Sequence, residues 1–354
     1  MKHEAIELAI IGGGAAGLFA AAAAVKAKVP AIVIERKARI GSKLLMTANG
    51  RCNFTKEISP ERMLRDIGGK AAEFLRPALT ACQPQRIAAF FRSHGVRTKR
   101  MMDGRLFPAS ERAADIVHVF GDLLREEQVP LLVNTPVIGL QRVKNGFIVG
   151  MENFTLWAKN VLVATGGASF PKTGSVGDGQ KFAAGMGHSI EPLRAGLTGY
   201  STRDSRVTSL APRRCERAAA AVCVDGETVF RAEGEVEFEP WGVSGAAVYN
   251  CSRYIQRRNL KSFSLRLETQ YGTFDLTDLA IRPLKEAIVT IGGVALDEID
   301  PATMMSKKVE GLYFAGEVMD VDGPTGGYNI SIAFATAVAA ASAVAGGLRL
   351  SRPK

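Results

Sequence analysis

Three glycines near the start of the chain, Gly12-x-Gly14-x-x-Gly17, constrain its fold more than any other feature. They follow an apolar run, Leu8-Ala9-Ile10-Ile11, and open an Ala-rich segment reaching Val25. A second apolar run, Ala31-Ile32-Val33-Ile34, ends on Glu35. The pattern predicts strand, glycine turn, helix, strand and terminal acid. Gly12 permits a tight turn, Gly14 lets the backbone approach a pyrophosphate, and Gly17 lets helix and strand pack closely. The phosphates would lie at the positive helix N-terminus, and Glu35 would accept hydrogen bonds from a ribose. A Gly-rich turn in an ordinary α/β unit requires neither the spacing nor the acid.

At 354 residues the chain is long enough for two domains and a large core. Lys plus Arg exceed Asp plus Glu, 45 to 35, which favours anionic partners such as dinucleotides, acidic substrates or RNA. The five cysteines, Cys52, Cys82, Cys215, Cys223 and Cys251, form no C-x-x-C pair. Their odd number in a chain of this size argues for a reducing, cytoplasmic setting. The four histidines show no metal-ligand spacing, so no metal is expected. Residues 8–25 are uncharged and long enough to raise a membrane-span reading. The nucleotide spacing of their glycines, Glu7 in front and the lack of a basic export signal argue against it. The Ala-rich stretch 332–346 contains Thr336 and Ser342 and reads as a buried helix.

After Glu35 come Arg36-Lys37 and then a loop dense in amide, hydroxyl and basic groups, containing Lys43, Asn49, Arg51, Cys52 and Asn53. Such a loop suits an anionic, hydrogen-bonding ligand. Residues 60–95 read as two helices. A basic stretch follows, with Arg97, Lys99, Arg100 and Arg105 around an Asp103-Gly104 turn, most simply a solvated hairpin. Residues 110–127 read as a helix capped by Ser110. Short strands are expected at 131–133, from Val137 to residue 143, at 146–151 and at 154–158. A buried strand then begins at Asn160 and ends in Ala164-Thr165-Gly166-Gly167. From about residue 193 the chain alternates like β-strands, with one helix at 246–257. Apolar runs at 287–294 and 311–317 then return it to the nucleotide domain, the second ending in Gly316-Glu317. The expected organisation is α/β. A nucleotide-binding domain of residues 1–192 and 285–354 is interrupted by a β-rich domain of residues 193–284.

A returning strand that ends in Gly-acid favours FAD over NAD. An acid there can hold ribityl hydroxyls, and the helix after Gly326-Gly327 can aim its positive end at the flavin N1/O2 edge. No second Gly-x-Gly-x-x-Gly follows a strand, so no dedicated nicotinamide domain is expected. Electrons would come from the substrate, from NAD(P)H docking transiently, or from a partner protein.

The motifs Gly12-x-Gly14-x-x-Gly17, residues 44–53, Ala164-Thr165-Gly166-Gly167, Thr290-x-Gly292-Gly293-Val294 and residues 314–329 together resemble the bacterial NAD(P)/FAD-dependent oxidoreductases of the aminoacetone-oxidase-like flavoprotein family. The resemblance implies a glutathione-reductase-type Rossmann-like domain with non-covalent FAD and an inserted β-rich substrate domain. It implies pyrophosphate contacts at Gly14, Ala15 and Ala16 and a ribose contact at Glu35, with Arg36, Lys37, Val137, Thr165 and Gly166 nearby. Lys43, Asn49, Arg51, Cys52 and Asn53 would lie along the flavin. Gly316, Glu317 and Asp320 would reach the ribityl chain, and Gly327, Tyr328 and Asn329 the ring edge. Arg51, Cys52 and Tyr328 are the candidates for a catalytic role. Family members are linked to amine oxidation, to reduction of enone-type steroids and to reduction of a ribosomal RNA uridine. The substrate expectation therefore stays open between a small molecule and RNA, beside a flavin-bound sensor without turnover. Only 46 residues separate Gly245 from Gly292, so the helical segment of the family's substrate domain is expected to be shortened or absent.

Overall fold

The computed structural model describes residues 6–351, which form two compact units. One holds the chain up to Gly167, Lys172–Glu191 and the chain from Gly292; the other holds Ala168–Pro171 and Pro192–Ile291.

The first unit opens with β1 (Ile6–Ile11), α1 (Ala15–Ala27) and β2 (Ala31–Ile34). Both strands are largely buried, which is why they read as continuous apolar runs and not as alternating ones. Next come β3 (Thr55–Lys56), α2 (Pro60–Ile67), α3 (Gly69–Ala81) and α4 (Pro84–Ser93). Three helices thus stand where two were expected. Gly68 and Gly69, at φ 72° and 59°, separate the first two, and Pro84 begins the third at a position where its missing N–H costs nothing.

The expected hairpin forms from β4 (Thr98–Arg100) and β5 (Arg105–Pro108), followed by α5 (Ala113–Glu126). This helix starts later than expected. The Ser110 hydroxyl accepts from Arg112 N–H at 3.3 Å and donates to Asp115 at 2.5 Å, closing a turn ahead of the helix. Then follow β6 (Leu131–Leu132), β7 (Val137–Val143), β8 (Gly146–Met151) and β9 (Thr155–Val163). The two strands expected around 154–158 and from 160 are a single strand, β9. Its first half pairs antiparallel with β8, and from Ala158 to Val163 it runs parallel to β1. After α6 (Asp178–Gly185), β10 (Ile190–Gly196) leads out of this unit.

The second unit contains β11 (Tyr200–Ser201), α7 (Ser205–Thr208), β12 (Arg214–Val224), β13 (Glu227–Glu239), β14 (Gly242–Ser244), α8 (Ala246–Arg258), β15 (Ser264–Thr269), β16 (Gly272–Leu276) and β17 (Ala280–Ile281). Its strands form one antiparallel sheet ordered β16-β15-β12-β13-β14-β11-β17. α8 lies on that sheet, burying Cys251 and Ile255 against a core that includes Phe238, Leu265 and Leu267.

The return begins with β18 (Val289–Val294), which pairs with β10 outside the main sheet. β19 (Leu312–Phe314) re-enters the main sheet parallel to the second half of β9. α9 (Tyr328–Ser351) closes the described chain. The main sheet is ordered β6-β2-β1-β9-β8-β7, with β19 also on β9. α9 packs on α1, where the Phe19 and Phe334 rings stack with centroids 4.3 Å apart. Burying an aromatic ring of this size contributes about 1.5–3 kcal/mol. Residues Tyr328–Leu348 are long and apolar enough to cross a membrane, with mean hydropathy 1.8, but 61% of that stretch is buried inside the protein.

Candidate functional site

β1 and β9 are neighbours in the sheet, yet β1 leads directly to α1 while β9 leads away. In parallel sheets such a divergence opens a crevice at the strand ends. Gly12 stands there with φ 112°, and a β-carbon on it would lie 2.5 Å from the Ala164 carbonyl oxygen. A β-carbon on Gly17 would lie 1.8 Å from Gly12 O. These two glycines are required by packing. Gly14 is different: a β-carbon there would meet nothing within 4 Å. Gly14 is the N-cap of α1, no side chain bonds to the cap, and the first turn holds no acid. Ala15 and Ala16 complete the first turn, which sets the positive end of the helix dipole behind the open space at Gly14.

Glu35 is buried at the end of β2. Its Oε2 accepts from Gly13 N–H and its Oε1 from Lys37 N–H, each at 2.7 Å. A carboxylate has about four acceptor sites, so both oxygens retain capacity for a ribose hydroxyl. Arg36 Nη1 pairs with Asp178 at 2.6 Å. Val137 is buried where β7 begins, after a turn in which Thr135 N–H bonds Glu35 O at 2.9 Å. Beyond β9, Thr165 and Gly166 (φ 73°) form the facing turn.

The loop after β2 is closed by Lys43, whose Nζ lies 2.9 Å from Glu317 Oε2. Beyond it Ala48, Asn49, Gly50 and Cys52 all have left-handed backbones, with φ of 49°, 55°, 82° and 57°. Such strain in non-glycine residues persists only where surrounding contacts impose it. Cys52 N–H and Gly50 N–H both bond the Thr47 carbonyl. The Cys52 thiol is fully buried, and burial pushes its pKa up to about 11, opposite to the lowered value a reactive thiol needs. Arg51 is exposed, its guanidinium 5.4 Å from the Phe107 ring centroid.

At the far end, Gly316 N–H bonds the Thr336 hydroxyl at 3.0 Å, and Asp320 Oδ1 accepts from Gly292 N–H at 3.0 Å. The Asn53 amide, turned as its partners require, donates to Thr55 O and Leu106 O and accepts from Gly327 N–H at 3.1 Å. A β-carbon on Gly327 would lie 2.7 Å from the Thr55 backbone, so only glycine fits. The Asn329 amide holds the Gly323 N–H (2.9 Å) and the Gly323 carbonyl (3.0 Å), shaping the approach to α9. Tyr328 is buried, and its hydroxyl donates to Asp66 Oδ2 at 2.5 Å. Burial and Asp66 both raise its pKa, which makes it a poor proton donor.

The sequence-predicted residues thus form three groups in one unit: Gly12 to Gly17 with Glu35, Thr165 and Gly166; Lys43 with Glu317; and Asn53 with Gly327. Three supporting residues escaped sequence reasoning. Gln180 Nε2 bonds both Gly166 O and Val318 O at 3.3 Å, Thr336 holds Gly316, and Asp66 holds Tyr328. None sits in a recognisable motif, and each acts through a contact distant in sequence.

An uncapped helix start at Gly14, a carboxylate with spare acceptor capacity at Glu35 and an acid just after a returning strand fit FAD. Fold and site together define an FAD-binding Rossmann-like flavoprotein. The chain belongs to the HI0933-like family, whose Rossmann-domain model matches residues 6–343. It is 28% identical over 408 aligned positions to the 3-dehydro-bile acid delta(4,6)-reductase of Clostridium scindens, covering 96% of this chain and 98% of that protein. It is likewise 28% identical over 397 positions to the ribosomal RNA dihydrouridine synthase of Escherichia coli, covering 96% and 98%. Both alignments exceed the 354 residues of this chain, so both relatives carry residues with no counterpart here. Among solved structures, 3-ketosteroid delta1-dehydrogenase from Sterolibacterium denitrificans superposes with TM-score 0.59 at 12% identity, covering 98% of this chain and 100% of that one. E. coli quinol fumarate reductase FrdA superposes with TM-score 0.58 at 14% identity, covering 100% and 72%. These likenesses establish the fold. With the family, they make this chain an FAD-dependent oxidoreductase. Its likeness to aminoacetone oxidases in particular receives no separate support.

Proposed function

We propose that this protein reduces a carbon–carbon double bond conjugated to a carbonyl, using NAD(P)H as the electron source. The activities for which the two relatives are named share this chemistry: a 3-oxo steroid with ring double bonds in one, and the uracil ring of a uridine in the other. The overall reaction adds a hydride and a proton across the double bond and oxidises NAD(P)H to NAD(P)+. Bound FAD supplies a hydride carrier at its N5 atom.

The observation that carries the flavin half of this reading is the open space at Gly14, in front of an α1 N-terminus that no side chain caps. Gly14, Ala15 and Ala16 would offer N–H groups to the pyrophosphate, a helix-end contact worth up to about 2 kcal/mol when partly buried. Glu35 would accept the adenosine ribose hydroxyls. Lys43 and Glu317 would line the ribityl region, with Asp320 close by along the chain. The start of α9 at Tyr328, braced by Asn53 through the Gly327 N–H, would turn the positive end of its helix dipole toward the pyrimidine edge of the ring and stabilise negative charge there. The β-rich unit is the proposed substrate domain. NAD(P)H would dock transiently, since the chain carries no second glycine fingerprint.

Purified protein should be yellow, and anaerobic NADH or NADPH should bleach it. Reoxidation by an enone steroid or by a uridine-containing RNA then identifies the acceptor. Colourless protein that FAD does not reconstitute would sink the cofactor assignment. Bleaching by an amine but by neither nicotinamide would replace the reductase reading with an oxidase.

A further inference from the structure

The first turn of α9 is held from one short segment of chain, residues 53–66. Asn53 accepts from Gly327 N–H at 3.1 Å, Thr55 Oγ1 lies 2.8 Å from Ser331 Oγ, and Asp66 Oδ2 accepts from the Tyr328 hydroxyl at 2.5 Å. The first two bonds act at the backbone or at a short hydroxyl side chain. The third differs in kind, because a carboxylate grips the far end of a ring, and the two residues stand 262 positions apart.

Asp66 is itself set in place. Ser59 caps α2 by accepting from Arg62 N–H at 3.2 Å, and Met63, Leu64 and Ile67 bury one face of that helix. Arg62 Nε lies 3.0 and 3.1 Å from the two Asp66 carboxylate oxygens. The carboxylate is therefore aimed by its own helix where it meets Tyr328. Tyr328 is 3% exposed, and Lys56 Nζ stands 5.2 Å from its ring centroid. A phenylalanine would bury the same ring with no polar atom to satisfy, so packing alone does not call for the pair.

We propose that Asp66 is a positioning residue for the flavin: by holding the Tyr328 hydroxyl it fixes the direction of the first turn of α9 and so raises the reduction potential of bound FAD. The positive end of a helix stabilises negative charge only over its last turn and only when well aligned. Oxidised flavin carries no charge at its pyrimidine edge and the reduced anion does, so a slackened turn weakens the reduced form more. The inference rests on the reading that α9 faces that edge.

The test reads three quantities on full-length protein: Tm without FAD, Kd for oxidised FAD, and the two-electron midpoint potential by anaerobic equilibration with a reference dye. Tyr328→Phe removes the hydroxyl with no change of charge. It should weaken the preference for reduced over oxidised FAD about tenfold, a fall of about 30 mV, with the oxidised Kd within about threefold of the parent. Asp66→Ala should match it, and Asp66→Ala/Tyr328→Phe should fall no further, since the two residues act as one bond. Asp66→Asn keeps an acceptor oxygen for the hydroxyl and should stay within about twofold of the parental preference. Should Asp66→Ala not fold, Tyr328→Phe against Asp66→Asn still decides. Val344→Ala opens a cavity at the buried far end of the same helix, so it should lower the Tm and leave the potential unchanged. An equal fall in Val344→Ala, additive falls in the double variant, or a parental potential in Tyr328→Phe would each overturn the inference. Ile330→Glu separates it from the reading beneath it, because it adds a negative charge to the first turn of α9 whatever Asp66 does. If Ile330→Glu lowers the potential and Tyr328→Phe does not, the positioning role alone fails. If Ile330→Glu leaves the potential unmoved, α9 does not face the ring and the placement fails with it.

Discussion

Lys43 Nζ lies 2.9 Å from Glu317 Oε2, a bond that spans 274 residues and ties the loop after β2 to the turn after β19. Both side chains are about one-quarter exposed. The pair brings a basic and an acidic group from the two ends of the nucleotide fold to one place. For a partly exposed pair the stability contribution is about 0.2–1 kcal/mol. Lys43→Met and Glu317→Gln should each shift the apo-protein Tm by only a few degrees while lowering flavin occupancy markedly. Equal Kd for FAD in parent and Glu317→Gln would remove Glu317 from the ribityl contacts.

The fingerprint glycines should separate by function. Gly17→Ala places a β-carbon 1.8 Å from Gly12 O and should destabilise the protein by about 1–3 kcal/mol, or prevent folding. Gly14→Ala meets nothing within 4 Å, and its φ of −88° suits alanine. Its stability should stay within about 0.5 kcal/mol of the parent, while FAD binding falls because the methyl group fills the approach to the helix. Thermal melts with and without FAD check both. Unaltered FAD affinity in Gly14→Ala would move the pyrophosphate elsewhere.

Glu35 has a structural duty besides its proposed ribose contact. Truncation to alanine leaves the Gly13 and Lys37 N–H groups without their partner, at a cost of about 1–3 kcal/mol. Flavin loss in Glu35→Ala must therefore be measured as a Kd on protein shown to be folded by circular dichroism. A folded variant with parental Kd refutes the ribose role.

Cys52 should be chemically silent. Its thiol is buried and its pKa is raised to about 11. Under native conditions at pH 8 it should resist iodoacetamide, and Cys52→Ser should retain flavin reduction by NAD(P)H. Rapid native alkylation, located by peptide mass spectrometry, would restore it as a redox candidate.

Acid stability should decline in two steps around His188. Its Nε2 lies 2.8 Å from Ser306 Oγ, and its Nδ1 lies 3.1 Å from Glu298 Oε2. Burial lowers the His188 pKa, and Glu298 only partly offsets this. The unfolded state therefore binds a proton more readily, and stability is lost as pH falls through about 6.5. Burial pushes Glu298 upward, but Lys308 and the Ser189 N–H outweigh it and hold the carboxyl at about 2. Its contribution is complete above the ordinary carboxylate value and is lost as pH falls from about 4.5 toward 2. Melts from pH 7 to 3 should show both declines, and His188→Gln should flatten only the first.

Much of the fold was legible because local chemistry announces it. The Gly12 to Glu35 unit, the hairpin at Asp103-Gly104 and the Ala-rich helix beginning near Tyr328 all depend on neighbours in sequence. The loop around Asn49, Arg51 and Cys52 was legible as unusual, but its direction was not. Cys52 points into the core and Tyr328 is bonded to Asp66, because burial and long-range partners decide where a side chain faces. The start of α5 moved for a related reason: Ser110 offers its hydroxyl to Arg112 N–H and to Asp115, so it closes a turn and does not cap the helix.

The sequence alone determined the dinucleotide unit. Glycine spacing sets which backbone turns and close approaches are sterically allowed, and no distant contact is needed for that. Tertiary structure decided how the pieces act together. β9 is one strand shared by β1, β8 and β19, Asn53 braces Gly327, and Lys43 meets Glu317. Each depends on residues tens to hundreds of positions apart, which become neighbours only when hydrophobic packing folds the sheet and helices together.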